Sequence, residues 1–511
     1  MSDYTRIGII DIGSNSIRLV IYEKKATGAH RVVSEYKDSA RLSERIGPDG
    51  ILHKEDILSI VPILSHFNEL CKVNDVHTIR IAATAAIRNA ANSNEIIQLL
   101  EHHTGMKIEV LSGDQEALYG FLGVINSIDI RDGFIVDIGG GSTEVTLFQD
   151  RKLKHSISFP FGSVNTTQQF AKGGVLTELI LLEIRQMVEE AMNAAPWIQS
   201  VQGLPLVGLG GTARTLGKMS QKHLKYSLPL THNYVLMQGE LDHFLNLLSS
   251  IPLEKRKKIE GLSKERADIM IPGLTILQTI FDACQASSIV ISGSGLRDGL
   301  LWETIQPHQP KLENVLETSI QNLLSLHPNA AEKHVQHVNQ LALQLFDQLM
   351  PSHALSDRHR TYLHAAALLY RIGVSVHYYQ FNKHTQYMIA HSRIDGFSHR
   401  EIMLCSLVAS FKAKNRTHQL VLLHKDILAE SDERMIHQLG TLLQLAIALD
   451  RSETQKVTAV NISIHGTELR LQLHAISTPH AELKELEAVR KDFEKVFGLK
   501  LKVATEASSM K

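Results

Sequence analysis

The stretch Ile135-Val136-Asp137-Ile138-Gly139-Gly140-Gly141-Ser142-Thr143-Glu144-Val145-Thr146-Leu147-Phe148 decides the fold. An apolar β-branched run enters it, three consecutive glycines turn it, and alternating apolar residues leave it, which reads as strand, tight turn, strand. Glycine has no Cβ, so backbone N–H groups in such a turn can crowd around an anion, and phosphate is the usual guest. Asp137 and Glu144 flank the turn with carboxylates, which suit a hard cation such as Mg2+. Taken alone, the stretch reads equally well as an ordinary glycine-rich hairpin.

It does not stand alone. Ile9-Ile10-Asp11-Ile12-Gly13-Ser14-Asn15-Ser16-Ile17-Arg18-Leu19-Val20-Ile21-Tyr22 aligns with it without a gap. Asp11 falls on Asp137, Gly13 on Gly139 and Ser16 on Ser142. A strand-turn-strand unit used twice implies duplicated domains facing each other across a cleft. Two phosphate-gripping hairpins on opposite walls resemble the actin-like (ribonuclease H-like) ATPase class, which performs phosphoryl transfer.

Composition bounds the rest. At 511 residues the chain is too long for one core, and about three or four domains are expected. Its 43% hydrophobic and 21% charged residues are those of a globular protein. A net charge of −1 offers no bulk attraction to a polyanion, so neither nucleic acid nor a membrane surface is expected as a partner. Cys71, Cys284 and Cys405 are odd in number and far apart, which argues against a disulfide framework or zinc site and for a reducing cytoplasm. The first strand begins by Ile7 with no signal peptide before it, and no apolar run is long enough to span a bilayer. Histidine is skewed: 17 of 27 lie after residue 305, which marks the C-terminal part as a different module.

Along the chain, Lys54 to Cys71 has helical spacing of apolar residues, and Thr78 to Ala83 reads as a buried strand leading to Arg88 at a helix start. An arginine there can fork onto phosphate oxygens. Ser112 and Gln115 have capping-box spacing, so Glu116 falls in the first turn of the next helix, where acidic residues are favoured in any case. Leu206 to Ala213 and Ser288 to Gly299 repeat the pattern of strand, glycine turn and helix, whose N-terminal amides favour anions. The basic run Lys255-Arg256-Lys257-Lys258 reads as a solvated face and Arg266 follows it. Glu303 to Leu312, with Pro307 and Pro310, reads as a linker. Long helical patterns follow (Asn314–Leu326, His334–Leu349, His359–Tyr370, His399–Lys412, Glu433–Asp450), then a β-β-α-β module from Val460 to Val503. The expected domains are 1–128 and 129–305 (the duplicated pair), 312–455 (all-α) and 456–511 (small α+β).

These motifs, in this order, resemble the exopolyphosphatase / guanosine pentaphosphate phosphohydrolase (Ppx/GppA) family. The resemblance rests on Asp11 to Ser16, Thr84 to Arg88, Ser112 to Ala117, Asp137 to Glu144, Gly210-Gly211-Thr212, Pro272-Gly273-Leu274 and Gly295 to Gly299. The long C-terminal half resembles longer members that carry a helical HD-like domain. The resemblance implies a cytoplasmic, Mg2+-dependent, homodimeric hydrolase that releases orthophosphate from inorganic polyphosphate or, alternatively, from guanosine pentaphosphate. It makes Glu116 the base, and Asp11, Asp137 and Glu144 the metal carboxylates. It makes Ser14, Asn15, Arg88, Gly140, Gly141, Ser142, Thr143, Gly211, Thr212 and Arg266 phosphate contacts. An HD metal site needs a His, a His-Asp pair and a distant Asp. His337 and Asp450 suit the outer positions, but the pair reads Tyr370-Arg371, so no second active site is expected. The helical domain then serves as a channel wall, with Lys412, Lys414 and Arg416 as lining, or as a dimer contact. A third reading is an actin-like nucleotide-binding regulator. Glu116, and Arg297-Asp298 where a glycine pair would face adenosine, argue against it.

Overall fold

The computed structural model describes residues 4–47, 49–171, 176–412 and 414–507. Residues 508–511 of the last expected domain lie outside them. The chain forms two compact units, residues 1–226 with 230–315, and 227–229 with 316–511.

The first unit holds two sheets. The first comprises β1 (Tyr4–Ile12), β2 (Ser16–Lys25), β3 (His30–Ser39), β4 (Thr78–Ala83) and β5 (Glu109–Val110), in the order β3-β2-β1-β4-β5. The second comprises β6 (Gly133–Ile138), β7 (Thr143–Gln149), β8 (Lys152–Phe159), β9 (Leu206–Leu209), β10 (Tyr234–Leu236) and β11 (Ile289–Ile291), in the order β10-β11-β9-β6-β7-β8. Read from β8 to β11, the second order repeats the first strand for strand, and β10 is an antiparallel addition at its edge. The gapless repeat in sequence is thus a repeat in topology. Register carries the equivalence into the hairpins, where Asp11 faces Arg18 and Asp137 faces Glu144. The apolar runs of β1 and β9 are buried on both faces, as expected of central strands flanked by helices.

Two helices, Gly113–Ile125 and Leu296–Ile305, share one apolar cluster with both sheets: Ile9 and Val20 from the first, Ile135, Val207 and Val290 from the second, and Phe121, Leu122, Leu300 and Leu301 between them. Their backbones nearly touch. A Cβ on Gly123 would lie 2.3 Å from the Gly295 carbonyl oxygen, and one on Gly299 would lie 2.0 Å from that of Tyr119. Arg80 of β4 ties the pair down through Glu109 (2.5 Å) and Glu303 (2.6 Å), and the Tyr119 hydroxyl also donates to Glu303. The expected linker therefore starts too early, because Glu303 to Ile305 form the last turn of a helix and Glu303 is an interlobe anchor. The basic run also differs from its reading as a solvated face. Arg256 is buried, and its Nε donates to the carbonyls of Leu248 (2.9 Å) and Ile251 (3.0 Å), closing the end of the helix Gln238–Ser249.

The second unit contains helices Glu332–Gln348, Asp357–Leu369, Phe381–His391, His399–Ala409, Lys414–Leu423 and Asp432–Leu449, entered through Val315–Leu326. Phe381–His391 and Lys414–Leu423 have no clean apolar period, and the sequence does not announce them. A three-stranded sheet follows: β12 (Val457–His465), β13 (Glu468–Ala475) and β14 (Lys500–Ala507), with the helix His480–Phe497 before β14. The histidine assigned to Asp450 needs correction. His334, not His337, meets it: Nδ1 lies 2.7 Å from the carboxylate, while Nε2 faces the Tyr370 hydroxyl at 2.5 Å. His337 instead reaches the carbonyl of Val457, 2.7 Å away. Residues three apart share a helix face, so spacing could not choose between them. Burial pushes the Asp450 carboxyl up, but its hydrogen bonds from His334 and Gln455 outweigh this and hold it below its ordinary value. Arg371 is paired with Glu453. Among the described residues no helix is long and apolar enough to cross a membrane.

Gly299→Ala forces the two helices apart at their closest approach. We expect a loss of about 1–3 kcal/mol of stability in denaturant unfolding; an unchanged midpoint would refute the steric account.

Candidate active site

The two hairpin turns, the glycine turns after β9 and β11, and the start of the helix Gly113–Ile125 converge on one cleft of about 170 Å3. Local chemistry fixes each wall. The hairpin turns are built alike, Gly13 N–H donating to the Ser16 carbonyl and Gly139 N–H to that of Ser142. The glycines of the second turn also let the hairpins approach each other. A Cβ on Gly140 would lie 3.1 Å from the Ser14 Cβ, and one on Gly141 would lie 2.9 Å from the Ser43 hydroxyl. Gly210 sits at φ 74°, where a side chain would be strained and its Cβ would meet Asp137 Oδ1 at 2.5 Å. Ser112 and Gln115 form the expected capping box at 3.2 and 2.9 Å, which sets Glu116 at the cleft.

On one side Glu116, Asp137 and Glu144 line a recess of about 40 Å3, closed by Ile135, Leu209 and Leu296. Burial raises all three carboxyls. Glu116 is pushed up by burial and then by the charge of Glu144, despite its ion pair with Arg88. Burial and Glu144 push Asp137 up to about 7. Glu144 is raised by burial, although the Ser158 hydroxyl donates to it at 2.7 Å. Asp11 is raised by burial against the pull of Arg297, Arg18 and Arg214.

The other side is the electrical opposite. Arg18, Arg214, Arg266 and Arg297 line the cleft. Burial and the neighbouring Arg214 and Arg18 push Arg266 down to about 10, and burial with Arg297 lowers Arg214. The Arg266 guanidinium lies so close over Gly211 that a Cβ there would be 1.8 Å from Nη2. Carboxylates that repel one another call for a cation, and guanidiniums that repel one another call for an anion. A phosphate chain accompanied by a divalent cation supplies both.

Of the expected site residues, Asp11, Ser14, Asn15, Glu116, Asp137, Gly140, Ser142, Glu144, Gly211 and Arg266 line the cleft. Four do not. Arg88 stands behind Glu116, donating to its carboxylate and to the Leu111 carbonyl (3.0 Å). The Thr143 hydroxyl is buried and donates to the Phe161 carbonyl at 2.7 Å. Thr212 is buried, and Gly141 packs on Ser14 and Ser43. Arg18 and Arg214 were missed as cleft residues, and Arg297, placed where a glycine pair would face adenosine, was not named as a phosphate contact. The signal for Arg18 was present, since it is the register equivalent of Glu144. The expected carboxylates supply oxygen donors of the kind Mg2+ takes, and their unbalanced charge fits a cation. Among the described residues, however, no three His, Cys, Asp or Glu side chains are gathered as a metal cage. Mg2+ commonly binds through one or two carboxylates with water and substrate oxygens completing its shell.

Residues 20–308 match the family model of the Ppx/GppA phosphatases, and residues 315–495 match the model of domain III of those phosphatases. The chain belongs to the Ppx/GppA phosphatase family. It is therefore a hydrolase of phosphoric anhydrides. A guanosine-5'-triphosphate,3'-diphosphate pyrophosphatase of Aeromonas salmonicida is 26% identical over 473 residues, covering 91% of each chain. Its counterpart from Aeromonas hydrophila is 26% identical over 462 residues, 87% of this chain and 88% of that one. The crystal structure of the Aquifex aeolicus Ppx/GppA family member is 28% identical, covers 60% of this chain and 99% of its own, and superposes with a TM-score of 0.52. An exopolyphosphatase from Cytophaga hutchinsonii, 21% identical, shares the fold over 60% of this chain and 100% of its own at a TM-score of 0.56.

The raised carboxyls make the ligand-free phosphatase sensitive to pH. Asp137 holds its proton more tightly folded than unfolded, so its contribution is full below about 4 and lost as pH rises through about 7. We expect Asp137→Asn to raise Tm at pH 8 by about 2–5 °C, with the gain fading toward pH 5. Calorimetry showing no gain at pH 8 would refute the buried-charge account.

Proposed function

We propose that this phosphatase removes the terminal orthophosphate from linear phosphoanhydride chains, with inorganic polyphosphate as its substrate. The observation that carries the reading is the opposition of a buried carboxylate recess and four arginines within one cleft. Arginine forks and turn amides hold consecutive phosphates, a demand that repeats along a chain. Glu116, whose carboxyl is raised toward neutrality, takes the proton of a water aligned with the terminal phosphorus. Arg88 positions Glu116 through their ion pair. Asp11, Asp137 and Glu144 are the residues that would hold Mg2+, which when bound neutralises phosphate oxygens. Positioning and charge neutralisation supply most of what phosphoryl transfer requires.

The names of the Aeromonas relatives favour a second substrate, guanosine pentaphosphate, with the same site and chemistry. Under either reading the helical part is an HD-like bundle without metal chemistry of its own, since Tyr370-Arg371 provides neither imidazole nor carboxylate. The domain limits 1–128, 129–305, 312–455 and 456–511, a homodimer and a cytoplasmic setting belong to the same proposal. An actin-like regulator is disfavoured: Asp298 accepts from the Gly295 N–H at 2.9 Å, capping its helix, and Arg297 lines the cleft where a nucleoside would rest.

Orthophosphate release with Mg2+ from polyphosphate or guanosine pentaphosphate, at matched terminal-phosphate concentration, separates the two substrates. Glu116→Gln should lower kcat by about 10²–10⁴ with little change in KM. Preference for the nucleotide would overturn the polyphosphate assignment, and full activity in the variant would remove Glu116 as base.

A further inference from the structure

Of the four cleft arginines, Arg18 and Arg297 are held by one carboxylate. Glu35 Oε1 lies 2.9 Å from Arg297 Nη1 and 3.5 Å from Arg18 Nη1. Among the described residues no ion pair holds Arg214 or Arg266. Glu35 comes from β3, the edge strand of the first sheet, whereas Arg297 opens the helix that follows the second sheet, so the contact spans the cleft. Two residues on, and so on the same strand face, Lys37 pairs with Glu265 across the same gap at 2.9 Å. Arg41 adds contacts to the Glu265 carbonyl (3.3 Å) and to Asp268 (3.6 Å). The Glu35 side chain is 50% exposed, while Arg18 and Arg297 are 20% and 15% exposed. The carboxylate can therefore leave toward solvent, and the guanidiniums cannot follow it.

We infer that Glu35 is a resident anion that occupies Arg18 and Arg297 in place of phosphate and must be displaced by the substrate chain. The inference rests on the cleft being the phosphate site proposed above. Its consequence is product release. A chain brings several phosphate charges, reaches Arg214 and Arg266 as well, and still binds after displacing one carboxylate. For a single orthophosphate the same displacement cost leaves little net binding, so Glu35 hastens its departure. Charge pairs of this partly exposed kind are individually weak, which suits a competitor that must yield.

The test is titration calorimetry of the full-length protein with tripolyphosphate and with orthophosphate, without divalent metal and at low ionic strength. Glu35→Gln should bind tripolyphosphate about fivefold tighter, and orthophosphate should gain by a similar factor. Orthophosphate should also become a stronger inhibitor of turnover. Glu35→Ala should change in the same direction, which covers a folding failure of the first variant. Lys37→Ala removes a neighbouring cross-cleft pair without freeing a cleft arginine and should leave binding unchanged. Weaker or unaltered binding in both Glu35 variants would overturn competition and make Glu35 a positioning residue. An equal gain in Lys37→Ala would also overturn it, because opening the cleft would then explain the effect. Absence of tripolyphosphate binding by every protein would instead overturn the anion cleft itself.

Discussion

The molecule's first unit is arranged around charge that it does not neutralise. Glu116, Asp137 and Glu144 are held in a recess with apolar walls, and burial and mutual repulsion raise their carboxyls. Across the cleft, burial and then the neighbouring guanidiniums lower Arg266 and Arg214 below their ordinary range. Like charges crowded together in this way cost stability and persist only where surrounding structure imposes them. That structure is the pair of sheets and the two helices packed between them. The close crossing at Gly123 and Gly299 sets how near the two hairpins stand.

Duplication explains how one simple unit makes two unlike walls. Both hairpins present an aspartate at the end of the first strand and a partner opposite it. In the first, Asp11 meets Arg18; in the second, Asp137 meets Glu144. At equivalent positions the two hairpins thus carry side chains of opposite charge. The triple glycine removes the side chains that would keep Ser14 and Ser43 away.

The second unit shows polar groups handled in the opposite way. There His334, Asp450 and Tyr370 satisfy one another, Arg371 is matched with Glu453, and Gln455 completes the shell of Asp450. Buried polar groups that satisfy one another in this way stabilise a packed bundle.

Much of the fold was legible because its signals are local. Apolar alternation, glycine turns and the capping box at Ser112 act over a few residues, and the repeat from Asp11 to Asp137 made the duplication visible. The acids of the recess were legible for the same reason, since each sits beside a turn or helix start. Arg214 was not, because an arginine on a helix looks alike whether it faces solvent or a cleft. Thr143 and Thr212 erred in the other direction: their motif neighbours line the cleft, but pleat and helix rotation turn their own side chains inward. His334 and His337 could not be separated by spacing, and Glu35 carried no motif at all. The sequence by itself determined which segments would turn, cap and repeat, because those depend on residues close along the chain. Only the tertiary structure decided which charges meet across the cleft, because that depends on how two sheets and two glycine-notched helices pack.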